Sequence, residues 1–290
     1  MLDLIAAIKG NPAYFKQLQC KGILFTQYDC PQQVGKTGLF SNCNYISYVI
    51  SGRRILSKPG QCLEMTEGKA LFVKKGGWVA EKIASEGWCV MIFFIPDEYL
   101  KKFIIEYRPN LPLKDLPPAP TEQMVELNVN DTTRFFFQSM LPYFTLNPPA
   151  PENLLELKFK ELVFDLLVNP DNKHLLSYLN TISGSSKPSI EEVMELNFMH
   201  HLSMDDYAKL CNRSLASFKR EFGELYKESP GRWLLQKRIG LAQLLLHTTQ
   251  KPVNDIAYET GFENTTHFSR VFKTKLNLSP LQYRKTELAE

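Results

Sequence analysis

From residue 21 to residue 95 the apolar positions fall in short runs, and glycine turns bound them. Ile46-Ser-Tyr-Val-Ile50 precedes Ser51-Gly52, Ala70-Leu-Phe-Val73 precedes Gly76-Gly77, and the run from Val90 to Ile95 follows Glu86-Gly87. Runs this short and this closely spaced predict strands of a β-sandwich or cupin-like jelly roll, with a few hairpins on a helical domain as the alternative. After Asp97 the apolar period becomes helical, interrupted by proline-rich stretches at 109–120 and 147–151. Within residues 152–168, Leu155, Phe159, Leu162, Val163 and Leu166 share one helical stripe, which reads either as core or as a dimer-forming face.

Ser183-Gly184-Ser185-Ser186-Lys187-Pro188 is small, polar and closed by proline, so it predicts a domain boundary. Ser189-Ile-Glu-Glu192 then has the pattern of a capping box that opens a new helix. The expected architecture is an α+β multidomain chain. Residues 1–183 form a regulatory and dimerisation domain, with strands over 20–96 and helices over 97–183. Residues 184–290 form an all-α domain.

That second domain contains a repeat. Phe218-Lys-Arg220-Glu-Phe222 recurs 50 residues later as Phe268-Ser-Arg270-Val-Phe272, and Ser229, Pro230 and Trp233 map by the same shift onto Ser279, Pro280 and Tyr283. Upstream the offset is 49, with Met204, Asp206, Tyr207 and Ala208 against Val253, Asp255, Ile256 and Ala257. The change places a one-residue length difference in a turn between helices. In the first copy Ser203 caps a short helix to Leu210, and Asn212-Arg-Ser214 supplies a turn and a second cap. In the second copy Gly261 can take a left-handed turn and Asn264 caps the next helix. A short helix, a turn and a longer helix make a helix-turn-helix, and here two such units flank a connector helix that begins at Pro230.

Helical spacing buries Leu215, Phe218, Phe222 and Leu225 in the first copy, and Phe268, Val271 and Phe272 in the second. It leaves Ala216, Ser217 and Arg220 outward with Lys219 at the flank. The second copy presents Thr266, His267 and Arg270, with Thr265 and Ser269 beside them. Small or hydrogen-bonding groups plus one arginine suit the reading of base edges in a major groove, where arginine pairs two-pronged with guanine. Each arginine alone also fits a phosphate contact or a solvated surface charge.

The net charge of +3 says little about partners, but its distribution says more. Residues 264–286 hold Arg270, Lys273, Lys275, Arg284 and Lys285 and no acid. Residues 213–238 hold Arg213, Lys219, Arg220, Lys227, Arg232, Lys237 and Arg238 with Glu221, Glu224 and Glu228. That composition implies a locally basic surface. The six cysteines show no C-x-x-C spacing, which favours reduced thiols in a cytoplasmic protein, although spacing alone leaves a disulfide set open. The first histidine is His174, so the strand region cannot carry a histidine metal site. His200-His201 reads as surface or packing. No phosphate loop, nucleophile elbow, dinucleotide fingerprint or paired-acid motif is present, and neither a cofactor nor a membrane span is expected. Tyr45, Tyr48, Phe72, Trp78, Trp88, Phe93 and Phe94 can line a pocket or pack as core. A filled interior would favour control by a protein partner, and an open cavity would favour a small-molecule sensor.

Residues from about Glu191 to Lys285 resemble the DNA-binding domain of AraC/XylS-type transcription regulators. The resemblance is carried by Leu202-Ser-Met-Asp-Asp-Tyr-Ala-Lys-Leu210, Phe218-Lys-Arg-Glu-Phe222, Ser229-Pro230-x-x-Trp233 and Arg238-Ile-x-x-Ala242-x-x-Leu245-Leu246. It continues through Asp255-Ile-Ala257, Gly261-Phe262, Phe268-x-Arg-x-Phe272 and Ser279-Pro280-x-x-Tyr283-Arg284. Glu228 and Asn277 depart from it, since members often carry glycine there; asparagine tolerates the left-handed conformation and glutamate does so less well. The resemblance implies seven helices, promoter DNA as partner and activation through RNA polymerase. It also implies base reading by Ala216, Ser217, Lys219 and Arg220, and by Thr265, Thr266, His267, Ser269 and Arg270. Ala216 is small for that role and suits a thymine methyl. The N-terminal half, around Tyr48-Val-Ile-Ser-Gly-Arg-Arg54 and Leu71-Phe-Val-Lys-Lys-Gly76, is similar to the sensing domain of type III secretion activators, in which a partner protein can be the regulator.

Overall fold

The computed structural model of the chain describes residues 2–29, 35–58, 61–82, 87–184 and 188–287. It divides into two compact units, Leu2–Ser186 and Lys187–Glu290. Of the boundary read from the sequence, Ser183 and Gly184 belong to the last helix of the first unit, and residues 185–187 lie outside the described residues.

The first unit opens with β1 (Leu2–Asp3) and α1 (Leu4–Gly10), capped by the Asp3 carboxylate, which accepts from the Ala6 N–H. The strands β2 (Phe15–Cys20), β3 (Ile23–Asp29), β4 (Gly35–Ser41), β5 (Asn44–Lys58), β6 (Gln61–Thr66), β7 (Ala70–Val73), β8 (Gly76–Lys82) and β9 (Trp88–Ile95) follow. Then come α2 (Asp97–Tyr107), β10 (Met124–Leu127), α3 (Asp131–Met140), α4 (Glu152–Val168) and α5 (Lys173–Gly184). The pairing is antiparallel except for β1 with β4.

β5 carries the architecture. Its first half lies between β7 and β9, and its second half between β6 and β8, so one strand joins two sheets into a curled half-barrel. Ser51-Gly52 therefore does not end a strand, as the sequence suggested. It forms a bulge where the register against β9 slips between Val49 and Ser51. Gly52 has φ of +89°, and a Cβ there would lie 1.7 Å from the Gly87 carbonyl oxygen. Only glycine fits this crossing.

Every residue of β9 is buried, because both of its faces are covered. Val90, Ile92 and Phe94 turn to the inside of the curl with Tyr45, Val49, Trp78 and Trp88. Met91, Phe93 and Ile95 face the helices, in a core with Phe25, Tyr48, Phe72, Phe137 and Phe159. The stripe of α4 belongs to this second core, and Phe159 meets Phe25 and Phe93 edge-on at 5.7 and 6.0 Å. This overturns the dimer-face reading of Leu155, Phe159, Leu162, Val163 and Leu166, since the chain's own sheet already covers them. On the opposite side of α4, Leu154, Leu157 and Val168 remain exposed. None of the five described cysteines is in a disulfide, and Cys30 lies outside the described residues.

Among its described residues the second unit has seven helices: α6 (Ile190–Asn197), α7 (Met204–Leu210), α8 (Leu215–Tyr226), α9 (Pro230–Thr248), α10 (Val253–Glu259), α11 (Thr265–Leu276) and α12 (Pro280–Glu287). Among the described residues no helix is long and apolar enough to cross a membrane, and no group of three or more side chains could hold a metal ion.

Candidate nucleic-acid interface

The repeat read from the sequence is a repeat of structure. In the first copy, Ser203 and Asp206 close a full capping box on α7. Asn212 turns the chain with φ of +52°, and Ser214 caps α8 by accepting from the Ser217 N–H at 3.2 Å. In the second copy, Gly261 makes the turn with φ of +86°, and Asn264 caps α11 by accepting from the His267 N–H at 2.7 Å. The turn residues are 49 apart and the caps 50 apart, so the extra residue lies inside the second turn, between Gly261 and Asn264.

Phe218 and Phe222 in α8, and Phe268 and Phe272 in α11, are completely buried. Trp233 stands edge-on to Phe222 at 6.1 Å, and its counterpart Tyr283 stands edge-on to Phe272 at 5.5 Å. Leu225, expected in the buried stripe, is 54% exposed. The residue one turn beyond Phe222 is Tyr226, which stacks on it at 4.5 Å and takes that place. Each helix ends in a left-handed cap, at Lys227 and at Asn277. The departure from glycine that matters in the first copy is thus Lys227, the true counterpart of Asn277. Glu228 is not among the residues with positive φ.

With the aromatic side of each helix fixed inward, the opposite side is fixed outward. Ala216, Lys219 and Arg220 are exposed on α8, and Ser217 is half-buried with its hydroxyl 3.0 Å from that of Ser214. On α11, Thr266, His267 and Arg270 are exposed, and Thr265 and Ser269 are half-buried. Among the described residues, neither the Arg220 nor the Arg270 guanidinium makes a hydrogen bond or an ion pair.

Other bases counted as surface charge are structural. Arg213 donates from Nε to Glu221 at 2.8 Å and from Nη1 to the Pro188 and Cys211 carbonyls. Arg238 donates to the Phe198 and His200 carbonyls at 2.7 and 2.8 Å, which ties α9 to the segment before α7. Burial lowers its pKa from the usual arginine range. Arg284 donates to the Lys251 carbonyl at 2.7 Å. His200 is buried, and His201 lies 2.7 Å from Glu263. Sequence reasoning did not single out Lys227 as a candidate contact. Together with Lys219, Glu228, Ser229 and Pro230 it lines a cleft at the start of α9. The left-handed cap that puts Lys227 there could not be read from the residue type.

α9 carries both copies. Trp233 packs against the first, and Ile239, Ala242 and Leu246 share a core with Ile256, Phe268 and Phe272 of the second. Residues 207–286 match a helix-turn-helix domain family, and residues 44–178 match the ExsA N-terminal regulatory domain family. The chain is similar to AraC-type transcription regulators. Among curated proteins, it is 23% identical to the thermoregulatory protein LcrF of Yersinia pestis over 83% of this chain and 89% of that protein. It is 23% identical to the transcriptional regulator ExsA of Pseudomonas aeruginosa over 76% and 78%. Among solved structures, an apo ToxT variant from Vibrio cholerae matches 90% of this chain and 96% of its own, at 16% identity and a TM-score of 0.45.

Proposed function

We propose that this protein is an AraC-type transcription activator that binds promoter DNA in the cytoplasm, laying α8 and α11 in successive major grooves of one duplex. One observation carries the reading: two copies of the same fold leave exposed, uncommitted arginines at equivalent places, among small or hydrogen-bonding neighbours. Ala216, Ser217, Lys219 and Arg220 read one half-site, and Thr265, Thr266, His267, Ser269 and Arg270 the other. Lys227 and the start of α9 hold phosphate. RNA polymerase is the downstream partner, and the Yersinia enterocolitica relative VirF is named a virulence regulon transcriptional activator. A homodimer through residues 152–168 would have to use Leu154, Leu157 and Val168, because the other stripe is occupied.

The test is recovery of genomic fragments by the intact protein, repeated with Arg220→Ala and Arg270→Ala. Each variant is expected to lose about 1–3 kcal/mol at its own base position. Equal weakening on every sequence would reassign that arginine to phosphate.

The second reading, control of DNA binding by a protein partner, is favoured by the filled interior of the curled sheet. Its cavity is about 140 Å³, whereas pockets for ligands of ordinary effector size run from about 300 to 1,000 Å³.

A further inference from the structure

Two bodies carried on one rod can still swivel about it, so the packing of both copies on α9 leaves one rotation for another contact to fix. The segment between α6 and α7 supplies such a contact, away from the α9 axis. It is tied to the first copy: the Tyr207 hydroxyl donates to the Asn197 carbonyl at 2.8 Å, and Phe198 stands edge-on to Trp233 at 6.5 Å. Its next residues touch the turn of the second copy. A Cβ on Gly261 would lie only 2.8 Å from the Met199 carbonyl oxygen, so the two backbones meet there. Beside that meeting point, His201 Nε2 lies 2.7 Å from Glu263 Oε1.

Arg238 of α9 stands where the three parts converge. Its Nε donates to the Phe198 carbonyl at 2.7 Å and its Nη2 to the His200 carbonyl at 2.8 Å. The same Nε would be 3.0 Å from a Cβ on Gly261. A guanidinium is a rigid planar fork that holds two acceptors in one geometry, whereas a lysine ammonium is a single point on a flexible stem. The two carbonyls flank Met199, so the fork holds the stretch of backbone that meets Gly261.

We propose that residues 198–201 form a second joint between the two helix-turn-helix copies, and that Arg238 is a positioning residue fixing the rotation of α11 relative to α8. The consequence for DNA rests on the reading of α8 and α11 as the two recognition helices. The joint restricts the chain to one half-site spacing, because one extra base pair turns a half-site by about a tenth of a helical turn.

The experiment compares the full chain with Arg238→Lys and His201→Ala. Arg238→Lys keeps the charge and loses the fork. His201→Ala removes only an exposed side chain, and it carries the test should the lysine variant misfold. Without DNA, spin labels on noncanonical residues at Glu224 and Lys275, exposed on α8 and α11, report the distance between the two helices. The parent should give one narrow distribution and both variants a broader one. Binding is then measured to an operator fragment recovered with the parent, and to versions with one base pair added or removed between the half-sites. The parent should bind the altered versions about ten-fold more weakly, the size of one lost base contact, and the variants only about three-fold more weakly. A side chain with a merely structural role would weaken binding to all the fragments alike and leave the ratio unchanged. That result, or equally narrow distributions in the parent and both variants, would overturn the proposal. Failure to recover any fragment would count against the DNA-binding reading, and the label distances would still decide the joint.

Discussion

Lys227 and Asn277 hold the same left-handed cap with different ease. A side chain with a Cβ is strained there by roughly 1–2 kcal/mol, and asparagine is among the least penalised. Lys227→Gly is therefore expected to stabilise the second unit by about 0.5–1 kcal/mol in urea unfolding, and to weaken DNA binding through loss of a phosphate contact. Gly261→Ala acts oppositely: its φ is +86°, and the new Cβ would meet the Met199 carbonyl oxygen at 2.8 Å and Arg238 Nε at 3.0 Å. A loss of about 1–3 kcal/mol is expected by the same measurement. Two titrations act in opposite directions. Burial, aided by Lys74, pushes Lys58 down to about 8 from 10.5. Between those values the unfolded chain binds the proton and the native one does not, so stability of the first unit rises with pH across that window. Burial pushes Tyr207 up to about 12, so the native second unit keeps a proton that the unfolded chain loses near 10, and its stability falls from there to about 12. Trp78 and Trp88 report on one unit and Trp233 on the other, and Lys58→Met should flatten the first slope alone.

At the scale of elements, α9 has a weak point at its middle. Gly240 sits exposed in mid-helix, with no atom within 4 Å of an added Cβ. Gly240→Ala should raise the stability of the second unit by about 0.5–1 kcal/mol in urea unfolding. The helices of this unit were legible because their signals are local. Ser203, Ser214, Asn264, Ser229 with Pro230, and the Phe218–Phe222 spacing each decide an element within one or two turns. The outward positions of Arg220 and Arg270 followed from the same spacing. Leu225 did not, because it and Tyr226 are both apolar enough to continue the stripe, and only the Trp233 ring decides between them. In the first unit the strands 70–73 and 90–95 were readable. The passage of β5 from one sheet to the other was not, because it depends on Gly52 meeting the backbone of Gly87, which is distant in sequence and just precedes β9. Arg213 and Arg238 looked like surface charge for a similar reason: the Pro188 carbonyl that holds the first, and the Phe198 and His200 carbonyls that hold the second, are remote in sequence.

At the scale of the whole molecule, α9 packs against both helix-turn-helix copies, so the two reading faces are expected to address half-sites about one helical turn of DNA apart. Inserting five base pairs between the half-sites places them on opposite sides of the duplex. Competition binding is expected to show a loss approaching that of deleting one half-site, and restoration with an insertion of about ten. The two faces are not the same. One offers Ala216, Ser217 and Arg220, the other Thr266, His267 and Arg270. On the proposed reading a single chain would land on its operator with a head and a tail, and the sequence it prefers would have no reason to be a palindrome. Turning that sequence around in a promoter would reverse which end of the regulator is presented to the transcription start.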